Sequence, residues 1–189
     1  MTSSSSTAAA DARRKGQALK ERGNAYFVRH QFAEAAEWYS RAIDADPDAP
    51  DLLTNRAAAF ARLGDWDRGL ADARASVAAK PDWIKGHFRI GACCRELGDL
   101  DAAEAAFAKA LALEPDNRQV AKELEAVRAA ARDAPRNAEK AKQAAEERFR
   151  LGDYDAARAL YEVARTACAS EEREELNAAI AECTKQMYR

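Results

Sequence analysis

Pro47, Pro81 and Pro115 stand 34 residues apart, twice over, and each closes a segment built from the same kinds of residue. Set against those prolines, the chain reads GNAYFVRHQFAEAAEWYSRAIDADP, then AAFARLGDWDRGLADARASVAAKP, then GACCRELGDLDAAEAAFAKALALEP. A period of this length marks a repeat array, in which each unit is a helical hairpin unable to bury its apolar face without a neighbour. The fold class expected is all-α, a solenoid of antiparallel helix pairs with capping helices. Stacked hairpins curve, so their first helices line one concave face. Function is to be sought there.

Each unit opens with an amphipathic helix, turns at Gly-Asp or its equivalent, and returns in an alanine-rich helix. The first places Leu19, Gly23 and Tyr26 ahead of a turn near His30–Gln31, then Ala35, Tyr39 and Ala42. The second offers Phe60, the Gly64–Asp65 turn, Trp66 and Ala73; the third offers Gly91, Cys94, the Gly98–Asp99 turn, Leu100, Ala103, Phe107 and Ala110. Small residues at Gly23, Ala57 and Gly91 let paired helices approach, and Tyr26, Tyr39, Phe60 and Phe107 fill the space beside them. Each proline then stops its helix, because it cannot continue the hydrogen-bond ladder.

Beyond Pro115, Asp116 and Gln119 have the spacing of a capping box. Val120, Leu124 and Val127 continue as one apolar stripe to about Arg132, suited to covering the third hairpin. Pro135 is expected to interrupt that helix. A degenerate fourth unit follows, with Phe149, the Gly152–Asp153 turn, Tyr154, Ala157, Tyr161 and Ala164 but no closing proline. A last helix runs from about Ser170 to Met187, with Glu171 and Glu172 at the end where the helix dipole favours carboxylates. The organisation expected is a disordered tail over residues 1–11, three repeats and a capping helix over 12–134, and a degenerate hairpin with a terminal helix over 135–189.

Composition narrows the function classes. Hydrophobic residues make up 48% of the chain but aromatics only 7%, which suits small side chains between close helices better than a thick core. Charged residues reach 33% with a net charge of −2, so the signs are interspersed over solvated faces and nucleic acid is not an expected partner. No apolar stretch approaches the roughly 20 residues of a membrane span, and MTSSSSTAAADARRKG lacks the apolar run of a secretory signal. Cys93, Cys94, Cys168 and Cys183 include no C-x-x-C pair, and the histidines are His30 and His87. Reduced, partly buried thiols in a cytoplasmic protein are expected, with no metal and no cofactor. Phosphate-loop, zincin and nucleophile-elbow motifs are all missing, so the chain is not read as an enzyme.

The first helices carry a second pattern. Lys20 and Asn24 lie four apart and share a face, as do Lys85 and Arg89, and Asn55 sits between them in LTNRAAAF. Asn55 and Arg89 are one period apart, and Lys20 and Asn55 nearly so. Stacking would gather three cations and two amides in one stretch of groove. Arginine and lysine give charge-assisted bonds to carboxylates, and asparagine can both donate to and accept from a peptide backbone. The fitting ligand is a free chain terminus whose last residue adds a side-chain carboxylate.

The glycine, aromatic, alanine and proline slots over residues 16 to 117 resemble the tetratricopeptide repeat, which implies a right-handed superhelix. More narrowly, LKERGNAYF, LLTNRAAAF and KPDWIKGHFRIG resemble the dicarboxylate-clamp repeats of cochaperones such as the heat-shock organising protein. The resemblance implies binding of the C-terminal Glu-Glu-Val-Asp tails of cytosolic 90-kDa or 70-kDa heat-shock chaperones by Lys20, Asn24, Asn55, Lys85 and Arg89. Phe27, one turn after Asn24, is the weaker candidate for apolar contact with the tail. The alternative function is a generic repeat scaffold that recognises an internal motif of an unrelated partner. Leu19, Gly69 and Ser76 depart from the usual residues of the repeat, and Gly69 in mid-helix should cost about 1 kcal/mol against alanine.

Overall fold

A computed structural model describes residues 3–47, 49–167 and 172–188. Among them lie nine helices and no strand: α1 (Ser3–Val28), α2 (Phe32–Ala45), α3 (Pro50–Arg62), α4 (Trp66–Ala79), α5 (Ile84–Glu96), α6 (Leu100–Leu113), α7 (Arg118–Arg150), α8 (Tyr154–Ala167) and α9 (Glu172–Met187). Contacts divide the chain into two compact units, residues 1–127 and 128–189.

In the first unit α1 pairs with α2, α3 with α4 and α5 with α6, while α2 packs on α3 and α4 on α5. Local chemistry sets the hairpins. Gly64 and Gly98 take φ of +76° and +82°, the left-handed conformation that ends one helix. The aspartates that follow start the next: Asp65 accepts the Arg68 N–H at 3.2 Å and Asp99 the Ala102 N–H at 3.0 Å. His30, at φ +61°, takes the glycine's place in the first turn.

The hairpins close because one helix presents glycine where the other presents a ring. A Cβ on Gly23 would lie 2.6 Å from the Tyr39 ring, and one on Gly91 2.8 Å from Phe107. The two unexpected residues of the second repeat also find their reason. A Cβ on Gly69 would come to 3.2 Å from Cys93 Sγ and 3.3 Å from the Ala57 carbonyl. Ser76 is buried, donates to the Ala73 carbonyl at 2.7 Å, and fits against Gly86 of α5. Arg56 ties three helices together, with paired bonds of 2.7 and 2.8 Å to Asp72 of α4 and one of 2.9 Å to Ser40 of α2.

Three details differ from the sequence reading. First, α1 begins at Ser3, inside the segment 1–11 expected to be a disordered tail; the alanines at 8–10 carry high helix propensity. Second, Asn117 rather than Asp116 caps α7, accepting the Val120 N–H at 3.1 Å. Third, α7 runs through Pro135, which lies exposed. The lost hydrogen bond and ring clash there cost about 3 kcal/mol, set against flanking alanine, glutamate, lysine and arginine residues of high propensity.

The division of the chain into two compact units falls inside α7, after Val127. Val120, Leu124 and Val127 bury against Cys94, Ala103, Phe107 and Ala110, as a cap on the third hairpin requires. In the second unit, Ala141 and Ala145 of α7 join Ala157, Tyr161 and Ala164 of α8 and Leu176 and Cys183 of α9. Gly152, at φ +77°, and Asp153, which accepts the Ala156 N–H at 3.3 Å, repeat the hairpin turn. Cys168, Ser170 and Glu171 lie outside the described residues; Cys93, Cys94 and Cys183 are buried free thiols.

Candidate functional site

α5 starts the site. Its first turn carries Lys85, its second Arg89, and both line a groove of about 560 Å³ with Asn55 of α3. Thr54, Trp83, Ile84, Phe88 and Val120 supply walls of lower polarity. Trp83 is steadied by Lys80, whose ammonium lies 5.2 Å from its ring centroid.

Charge in this groove is unbalanced at the atoms that matter. Among the described residues no carboxylate lies within ion-pair distance of Lys85 or Arg89. Asp82 and Glu114 also line the groove, and Glu114 accepts from the Asn117 side-chain amide. Burial lowers the Arg89 pKa from its ordinary value, which a neighbouring carboxylate would have opposed. Arginine still keeps its charge in proteins. A partly desolvated guanidinium without a counter-charge is a receptor for an anion, and its planar fork favours a carboxylate held in two-pronged fashion.

α1 supplies the other pair. Lys20 Nζ lies 2.9 Å from Asp51 Oδ2, and Asp51 precedes Asn55 by four residues on α3. Lys20 is thereby tied to the residue one helical turn before Asn55, although it does not line the groove itself. Asn24 is exposed on α1, one turn beyond Lys20. Its Oδ1 accepts the Tyr39 hydroxyl at 2.7 Å, which turns the amide N–H pair outward as a donor.

Of the five residues singled out from the sequence, the structure thus brings Asn55, Lys85 and Arg89 into one groove. Lys20 is tied to α3 through Asp51, and Asn24 is held by Tyr39 of α2. Phe27 lies elsewhere: its ring packs edge-on to Phe32 at 5.2 Å, against the cluster of Ala35, Ala36, Tyr39 and Ala59. His87 is a packing residue, with Nε2 2.8 Å from the Pro81 carbonyl oxygen. Arg56, beside Asn55, faces the core network described above.

Sequence reasoning missed Asp51 and Tyr39. The spacing of Asp51 to Asn55 was a usable signal for the first. The second needed the hairpin pairing, since Tyr39 already had a packing role. Among the described residues no group of histidine, cysteine, aspartate or glutamate could hold a metal ion, and no helix is long and apolar enough to cross a membrane.

Residues 23–64 match a family model described as TPR repeat, and residues 84–117 one described as tetratricopeptide repeat. The chain is 43% identical over 119 residues to the "Hsp70-Hsp90 organizing protein" of Triticum aestivum, covering 63% of this chain and 20% of that one. It is 38% identical over 114 residues to "DnaJ homolog subfamily C member 7" of Mus musculus, covering 60% and 23%. The chain thus spans about a fifth of the length of these curated relatives. Among solved structures it resembles "First TPR of Spaghetti (RPAP3) bound to HSP90 peptide SRMEEVD", with TM-score 0.61 and 36% identity, covering 62% of this chain and 94% of that one. It also resembles the second TPR domain of human RPAP3 in complex with the HSP70 peptide SGPTIEEVD, with TM-score 0.60 and 29% identity, covering 62% and 98%.

Proposed function

Because the chain belongs to the tetratricopeptide-repeat family, we propose that it is a cochaperone-type binding module for the acidic C-terminal tails of heat-shock chaperones of the 90-kDa class, the 70-kDa class or both. Lys20, Asn24, Asn55, Lys85 and Arg89 form the clamp. Together they take the two carboxylates of the terminal aspartate, the main-chain one and the side-chain one. The module performs no catalytic step and works in the cytoplasm, where such tails are found.

The observation that carries this reading is Arg89, a partly desolvated cation sharing a groove with Asn55 and Lys85 and lacking a carboxylate partner among the described residues. Further support comes from the solved relatives, whose bound peptides end in Glu-Glu-Val-Asp.

Calorimetry with tail peptides carrying a free or an amidated C-terminus tests the reading. The free peptide binds, and amidation or Lys85→Glu weakens binding at least tenfold, about 1.4 kcal/mol. Arg89→Met weakens binding similarly yet leaves the fold as stable or slightly more so, by up to about 1 kcal/mol, because a desolvated charge is removed. Equal binding of free and amidated peptides would instead indicate a scaffold reading internal motifs.

A further inference from the structure

Of the three cations assigned to the clamp, Lys20 alone has a carboxylate within ion-pair distance among the described residues. Its ammonium lies 2.9 Å from Asp51, its side chain is 18% exposed and that of Asp51 39%. Asp51 occupies the first turn of α3, where the helix dipole favours a carboxylate and the following turn carries Asn55. Asp51 thus touches Lys20 and shares a face of α3 with Asn55, one turn away. Arg13, Arg14 and Asp46 line a neighbouring cleft with Asp51.

We propose that Asp51 is an internal stand-in for the ligand, a residue that occupies the Lys20 ammonium and lowers the groove's affinity for acidic chain ends. The inference rests on the clamp reading above. A lysine ammonium has three donors, so Lys20 can hold Asp51 and a ligand carboxylate at once. Two carboxylates on one ammonium repel each other, however, and the incoming one meets a pair that is already neutral. Positioning and repulsion act in opposite directions. Repulsion prevails here, because Lys20 is already confined by burial and gains little further order from Asp51. The consequence is an uneven clamp, with Lys85 and Arg89 supplying most of the attraction and Lys20 supplying less than its charge suggests.

The test is titration of the full chain and its Asp51→Asn and Asp51→Glu variants with a free-terminus peptide ending in Glu-Glu-Val-Asp. Asp51→Asn binds about three- to fivefold tighter at low salt, the size expected for a partly solvated charge pair. The gain disappears near about 1 M salt, where the screening length is about 3 Å. A steeper salt dependence in Asp51→Asn is a readout that a merely structural role would not move. Asp51→Glu keeps the charge and binds as the unaltered chain does, and melting curves of both variants verify folding. Unchanged or weaker binding by a folded Asp51→Asn overturns the inference and leaves the clamp reading intact. Failure of the unaltered chain to bind overturns both.

Discussion

At the scale of single residues the structure separates the proposed binding groups from the side chains that hold them. Tyr39 holds Asn24 and packs against Gly23 at the same time. It is 2% exposed, and burial pushes its hydroxyl up to about 12. The folded chain thus keeps a proton that the unfolded chain releases near the ordinary value, so stability is complete below about pH 10 and is lost as pH rises toward about 12. Tyr39→Phe flattens this alkaline loss and costs about 0.5–1.5 kcal/mol near neutrality. Denaturant melts at about pH 8 and about pH 11 check both signs. The same variant weakens tail binding severalfold if Asn24 needs its orientation. The identity of the proposed clamp residues was readable from spacing, because i and i+4 positions share a helix face. Their unequal surroundings were not, since pairing of Lys20 with Asp51 and desolvation of Arg89 depend on neighbouring helices.

At the scale of helices, the second repeat shows how a locally unfavourable residue becomes the right one. Gly69 weakens α4 by propensity, yet Cys93 of α5 and the backbone of α3 crowd the place of a Cβ, at 3.2 and 3.3 Å. Gly69→Ala alone therefore gains less than the full propensity of about 1 kcal/mol, or loses stability. In a Cys93→Ala background the same change gains more, with a coupling of about 0.5–1.5 kcal/mol in a double-mutant cycle of denaturant melts. Helix existence and hairpin order were legible, because period, glycine turns and apolar stripes agree with one another. The ends were less so. Pro135 looked like a stop, but a helix with strong formers on both sides tolerates one lost hydrogen bond. The capping residue moved by one position for a similarly local reason: Asn117, not Asp116, is placed to accept the Val120 N–H.

For the molecule as a whole, the boundary between units sits inside α7, after Val127. Residues 1–134 include every proposed clamp residue and the stripe that caps the third hairpin, so this fragment binds tail peptide as the full chain does. A fragment ending at residue 117 loses Val120, Leu124 and Val127, which are 2%, 4% and 0% exposed. It is destabilised by about 4–6 kcal/mol from burial alone, and thermal melts of the two fragments measure the difference. The order of residues by itself determined the repeat and its hairpins and singled out the proposed clamp set, because periodicity and face-sharing are properties of one helix at a time. Only the packed structure decided which of the proposed clamp cations pairs with a carboxylate among the described residues, which glycine sits against a ring and where α7 passes from one core to the other. Those outcomes depend on what adjoining helices place within a few ångströms, and such distances are not encoded in spacing along the chain.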